Sequence, residues 1–231
     1  MLTPRLSVIV SSLGGDHLMI KNILVDWFEV QSNGMYGVGE MGRLVQKVGL
    51  SREEYMHKDS DRFDLLNKLN RGQITEKRYW KGVLERTGWN VTVEQMMGLV
   101  DEAVRIPIPG TFDVLNNLHK QGYNLILVSD LGFELKERIL DYYPWINQLF
   151  SGKYFSCDHD RIKSDPGCFE FIIEQEGINP DASIFIDDYD KNVARATEAG
   201  ITGVLFQGAV QLKATLTEMG IYNNPVSTRV S

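Results

Sequence analysis

Asp26 closes the apolar run Ile23-Leu24-Val25, and Asp187-Asp188 close a second run, Ser183-Ile184-Phe185-Ile186, far along the chain. A charge is costly inside a buried strand but tolerated at its tip, where the strand opens into a solvated crevice. In parallel α/β sheets ligands bind beyond the carboxyl ends of the strands, so acids that end two strands of one sheet converge on one place. Carboxylates gathered there suit a hard divalent cation, which takes oxygen ligands, and such a cation suits a phosphate. Ser129-Asp130 follows a third apolar run, Leu125-Ile126-Leu127-Val128, and offers a hydroxyl and backbone N–H groups to an anion. Lys163, within Arg161-Ile162-Lys163-Ser164-Asp165-Pro166, places a cation just ahead of a predicted helix. An acid nucleophile, a hydroxyl, a lysine and an acid pair are the parts that phosphoryl transfer needs.

Positioning these groups requires a sheet. After Asp26, apolar residues recur at helical spacing over 42–50, 52–58, 63–70, 76–87 and 93–105. Ser51 before Arg52-Glu53-Glu54, Thr75 before Glu76, and Thr92 with Gln95 three residues on are helix-start signals. Gly49 and Gly88 are the matching stops. No strand is predicted from 38 to 105. Beyond Pro107-Ile108-Pro109-Gly110 the pattern alternates: helix 111–120, strand 125–128, helix 133–141, helix 166–176 capped by Asp165, strand 183–186, helix 189–199, strand 203–206 and helix 210–219. Such alternation predicts an α/β fold, a Rossmann-like parallel sheet covered on both faces, with an inserted helical cap. The expected division is a core of 19–32 and 106–222, a cap of 33–105 over the strand tips, an extension of 1–18 and a tail of 223–231. Met19 immediately precedes the first strand, so a start there would still give the whole predicted fold.

Composition narrows the partners. The 231 residues, 43% of them hydrophobic, can bury a full core, and the net charge of -7 gives no basic field to attract nucleic acid or an anionic membrane. Cys157 and Cys168 are the two cysteines and have no framework spacing, which fits a reducing compartment. Arg5 before Leu6-Ser7-Val8-Ile9-Val10 loosely imitates a secretory leader, but polar residues soon interrupt it. No apolar run is long enough to span a bilayer. A cytoplasmic monomer or homodimer acting on a small molecule is the expectation.

Taken together and in order, the four stretches around Asp26, Ser129, Lys163 and Asp187-Asp188 resemble the four motifs of the haloacid dehalogenase superfamily. The resemblance is to its helical-cap group, which holds sugar-phosphate phosphatase-like and epoxide hydrolase N-terminal phosphatase-like members, and it runs from Met19 to Met219. Arg71-Gly72-Gln73-Ile74-Thr75 is similar to the Gly-x-Ile-Ser/Thr segment of such caps, and Lys163-Ser164-Asp165-Pro166 to the Lys-Pro-x-Pro pattern of the third motif. The resemblance implies a Mg²⁺-dependent phosphatase for a small phosphorylated metabolite. Asp26 would attack phosphorus and become an aspartyl-phosphate. Mg²⁺ would be held by Asp26, the backbone carbonyl of Phe28, Asp187 and Asp188. Ser129 and Asp130 would contact the phosphoryl group, and Lys163 would neutralise charge on nucleophile and substrate.

One position departs from that pattern. Family phosphatases commonly carry a second Asp two residues after the nucleophile, to protonate the leaving group, followed by a glycine; here those positions are Phe28 and Glu29. Losing a general acid costs about a hundred- to ten-thousand-fold in rate, which favours a substrate whose leaving group departs easily. Two alternatives follow: a 2-haloacid dehalogenase-like hydrolase, whose halide leaves without a proton, and a catalytically impaired binding protein on the same fold. Gly37-Val38-Gly39-Glu40-Met41-Gly42 spells a dinucleotide fingerprint without the strand it needs directly before it. Cys157-Asp158-His159-Asp160 has metal-type side chains but no second cluster. Trp27, Phe28, Tyr36, Trp80 and Trp89 are read as core aromatics or as the lining of a cap-side pocket.

Overall fold

Asn22–Val25 forms β1 with all four residues buried. The structure is a computed structural model and describes residues 19–35, 40–56 and 60–223; the expected 1–18 extension, most of the tail, and Tyr36 with the first glycines of the fingerprint lie outside them. After β1 come the inserted helices α1 (Glu40–Leu44), α2 (Arg52–Met56), α3 (Ser60–Asn70), α4 (Glu76–Thr87) and α5 (Val93–Val104), with a 3₁₀ turn at Val45–Val48. The alternating half follows as α6 (Thr111–Lys120), β2 (Asn124–Ser129), α7 (Phe133–Tyr142), α8 (Ile146–Leu149), β3 (Gly152–Phe155), α9 (Ser156–His159), α10 (Cys168–Glu176), β4 (Ser183–Asp187), α11 (Asp190–Glu198), β5 (Thr202–Leu205) and α12 (Ala209–Glu218).

The sheet order is β3-β2-β1-β4-β5, parallel throughout. Both faces are covered, which is why its strands read as unbroken apolar runs rather than as alternation. Ile23, Val25, Leu125, Leu127, Ile184 and Ile186 face one core with helices α6 and α7. Leu24, Ile126, Val128 and Phe185 face the other, against Cys168, Phe169 and Ile172 of α10. Truncating one of these buried aliphatic side chains to alanine costs about 2–5 kcal/mol.

Local chemistry fixes the inserted helices. Thr75 accepts the Arg78 N–H at 3.2 Å at the start of α4. Thr92 and Gln95 form a capping box at the start of α5, with bonds of 2.7 and 3.1 Å. The turn between α3 and α4 then docks on the loops that leave β2 and β3. Ser156 donates to the Asn70 carbonyl at 2.6 Å and accepts the Leu131 N–H at 2.9 Å. Gly72 has φ 71°, and a Cβ there would stand 2.4 Å from the Phe133 ring. Arg71 pairs with Asp165 at 2.5 Å and donates to the Asp160 carbonyl at 2.7 Å. The buried Glu76 pairs with Arg138 of α7. These contacts seat the inserted helices over the carboxyl ends of the strands.

Two expectations need correction. The edge strand β3 was not predicted: it is four residues long, opens on glycine and carries the half-buried Lys153, so no periodicity marks it. The helix expected from Pro166 begins instead at Cys168, after Gly167 at φ 74°. Asp165 does not cap it with its side chain, because that carboxylate accepts the Ile162 N–H at 3.1 Å and pairs with Arg71.

Candidate active site

The register of the strands sets the site. Val25 lies opposite Ile186, and the Asp26 N–H donates to the Ile186 carbonyl at 2.9 Å, so Asp26 and Asp187 end neighbouring strands at one level. The carboxylates of Asp26, Asp187 and Asp188 each offer an oxygen within 4.8 Å of the others. Lys163 reaches across them, its Nζ 2.8 Å from Asp26 and 2.7 Å from Asp187. The lysine is 2% exposed, and Asp187 is fully buried.

Each charge is held by neighbours the motifs do not announce. Asp187 accepts the Tyr189 N–H at 2.8 Å and the Asn192 amide at 3.1 and 3.3 Å. Asn192 lies in the first turn of α11, and its polar side chain so close to the acid pair was the available signal. One oxygen of Asp26 accepts the Trp27 N–H at 2.7 Å as well as the Lys163 ammonium. Its backbone carbonyl accepts from the Gln31 amide at 2.9 Å. The tight turn beyond β1 is closed by Gln31 and Ser32 N–H groups donating to the Trp27 carbonyl and by the Glu29 N–H donating to that of Ser32.

Electrostatically the site is a crowd of acids with one buried cation. Burial raises the Asp26 carboxyl well above its ordinary value; Lys163 pulls it down, and Asp187 and Asp188 push it up again. Loss of water around the Asp188 carboxyl, then the Asp187 charge, push that group up to about 6. Burial alone would lower the Lys163 ammonium, but Asp187, Asp26 and Asp130 outweigh it and hold it above its ordinary value. Lys163 offsets one of three negative charges. The remaining excess, carried on hard oxygens, fits a divalent cation of the magnesium type.

Ser129 ends β2 fully buried, and among the described residues nothing pairs with its hydroxyl. A buried hydroxyl without a partner is unfavourable by about 1–3 kcal/mol, and an incoming anion would relieve that. Asp130, expected to contact the phosphoryl group, directly follows Ser129 beyond the tip of β2. Both its carboxylate oxygens accept the Lys163 N–H at 3.1 Å, and burial pushes it up to about 6. The carboxylate thus anchors the Lys163 loop. The neighbouring Leu131 N–H is taken by Ser156.

Phe28 is 7% exposed and lies against Gly34, where a Cβ would come within 2.8 Å of its ring. Glu29 occupies the left-handed region at φ 58°, which explains the glycine usual at that place: a side chain there costs roughly 1–2 kcal/mol. Trp27 and Trp80 are fully buried, Trp27 against Tyr143 and Trp145, so they are core rather than pocket lining. The side chains of the Cys157-Asp158-His159-Asp160 stretch form no ligand cluster among the described residues: Cys157 is buried, Asp158 pairs with Lys136 at 2.6 Å, and His159 stacks on Tyr154. Among the described residues no helix is long and apolar enough to cross a membrane.

Comparison with known proteins agrees with this architecture. Over 144 residues the chain is 28% identical to a probable phosphoglycolate phosphatase of Pseudomonas putida, covering 57% of this chain and 55% of that protein. It spans between 31% and 55% of the length of curated relatives that it matches. A predicted HAD-like family hydrolase from Porphyromonas gingivalis shares the fold with TM-score 0.67 and 21% identity over 89% of this chain and all (100%) of that one. So does a HAD family enzyme from Bacteroides thetaiotaomicron in complex with magnesium and inorganic phosphate, with TM-score 0.59 and 22% identity over 82% of this chain and 95% of that one. Residues 19–200 match the haloacid dehalogenase-like hydrolase model, and the chain belongs to that family.

Proposed function

We propose that the protein is a Mg²⁺-dependent phosphatase of a small phosphorylated metabolite, working through an aspartyl-phosphate on Asp26. The observation that carries this reading is the meeting of Asp26, Asp187 and Asp188 within 4.8 Å around Lys163. The unpaired, fully buried Ser129 hydroxyl supports it. So do the relative named a probable phosphoglycolate phosphatase and the fold neighbour described with magnesium and phosphate.

In this reading one oxygen of Asp26 stays tied to the Trp27 N–H and Lys163, and the other attacks phosphorus in line. Ser129 donates its hydroxyl to a phosphoryl oxygen. Lys163 balances charge on the nucleophile and on the group transferred, and Asp130 holds its backbone in place. Asp26, Asp187, Asp188 and the Phe28 carbonyl would hold Mg²⁺, which supplies a Lewis acid shielding an anionic nucleophile from an anionic substrate. Phe28 cannot donate a proton, so esters of good leaving groups are the favoured class. The 2-haloacid dehalogenase alternative gives three clustered carboxylates no task.

A panel of aryl, acyl and sugar phosphates, assayed with Mg²⁺ and with a chelator in its place, tests the proposal. Phosphate release should require the metal. Halide release from 2-haloacids that survives chelation would favour the dehalogenase instead, and silence on every ester at high protein concentration would favour a binding protein.

A further inference from the structure

The backbone of Lys163 lies in the loop between α9 and α10. Ser164 stands where the third-motif pattern has proline, so no ring fixes the chain beside the lysine. Hydrogen bonds from the core hold it instead. Asp130 accepts the Lys163 N–H at 3.1 Å, Asp165 accepts the Ile162 N–H at 3.1 Å, and Arg161 donates to the Gly167 carbonyl at 3.0 Å.

A further tie comes from the inserted helices. Arg71, in the turn between α3 and α4, donates from one nitrogen to the Asp160 carbonyl at 2.7 Å and from another to Asp165 at 2.5 Å. One guanidinium thus bridges the two ends of the segment that carries Lys163. A rigid fork of donors suits that task and a single ammonium does not. Gln73 of the same turn donates to the Asp160 carboxylate at 2.7 Å, and Asp160 sits in the left-handed region at φ 49°. The inserted helices have other seats as well, because Ser156 bonds the Asn70 carbonyl and Arg138 pairs with Glu76. Removing Arg71 therefore releases the loop and leaves the helices docked.

We propose that Arg71 is a positioning residue for Lys163, acting through Asp165 and the Asp160 carbonyl. The seated turn locks the loop that sets the ammonium 2.8 Å from Asp26 and 2.7 Å from Asp187. The consequence for turnover rests on the phosphatase reading and goes beyond it by giving the inserted helices a part in assembling the charge of the site. A group misplaced by about 1 Å costs roughly a hundredfold in rate, so a tie remote from phosphorus has leverage.

The test uses the full chain and two readouts: hydrolysis of p-nitrophenyl phosphate with Mg²⁺, and the initial rate at which acetic anhydride acetylates Lys163, followed by peptide mass. Arg71→Ala should lower kcat by about tenfold or more and move KM by less than about threefold, since Ser129 still bonds the phosphoryl group. It should speed acetylation of Lys163 by about fivefold. Arg71→Lys, which keeps the charge but loses the fork, should restore part of kcat. In an Asp165→Asn background Arg71→Ala should lose most of its effect, as for groups that act together. Lys136→Ala removes the nearby ion pair with Asp158, of comparable exposure, and should leave both readouts within about twofold of wild type.

Three results overturn the inference and leave the phosphatase reading standing. One is a kcat or an acetylation rate within about twofold of wild type in Arg71→Ala. Another is full additivity of Arg71→Ala with Asp165→Asn, and the last is an equal loss in Lys136→Ala. A wild type silent on the ester, with acetylation still raised in Arg71→Ala, upholds the tie and places the failure in the phosphatase reading.

Discussion

Asp26→Asn should abolish turnover and leave the fold intact. The exchange keeps the shape of the side chain and an oxygen to accept the Trp27 N–H, now 2.7 Å from the carboxylate. It removes one of three acids that crowd within 4.8 Å, so the metal-free protein should melt no lower than wild type. What it takes away is the nucleophile. Losing a nucleophile costs on the order of 10⁶ in kcat in a serine hydrolase where it has been measured. Phosphate release on an activated ester, paired with thermal melting, reads both quantities. A variant that keeps its rate contradicts the assignment of Asp26. A variant that loses its rate together with its melting transition shows only that the site is structural.

Lys163→Met should damage stability and activity at once, and magnesium should repair only the first. The lysine is 2% exposed and lies within 2.8 Å of two carboxylates. Breaking a buried ion pair from one side costs about 3–5 kcal/mol, because the remaining charge is left unpaired. Here two carboxylates lose their partner, with Asp188 adjacent. A divalent cation bound among them would restore part of that stability by mass action. Activity should not return, since phosphoryl charge would no longer be met by the ammonium. Denaturant melts with and without Mg²⁺ test this directly. Equal stability of variant and wild type without metal would mean that the lysine carries no buried charge balance.

The candidate site was largely legible because its parts are punctuation. Asp26, Ser129 and Asp187 each end an apolar run, and a strand buried on both faces leaves a polar group nowhere else to go. The helix caps at Thr75 and Thr92 were legible for a similar reason, since their side chains bond the backbone a few residues away. Contacts between distant segments were not. Asn192 holding Asp187, Asp130 holding the Lys163 loop, and Arg71 holding Asp165 each join groups with no shared local pattern. The edge strand β3 escaped because glycine and lysine make up half of its four residues. The backbone at Glu29 was equally hidden: nothing in the residue type announces a left-handed φ of 58°. Only the fold shows that a side chain has been placed where the backbone would be more comfortable with none.

On the proposed phosphatase reading, Asp26 itself becomes phosphorylated during turnover. Rapid quenching of the full chain with an activated phosphate ester and Mg²⁺, followed by borohydride reduction and peptide mass mapping, reads it directly. An acyl phosphate at Asp26 is reduced to homoserine, so the peptide spanning β1 should carry homoserine in place of Asp26, and the Asp26→Asn protein should give none. Steady phosphate release with an unmodified Asp26, or with the reduced residue at Asp187, Asp188 or Glu29 instead, would contradict the account.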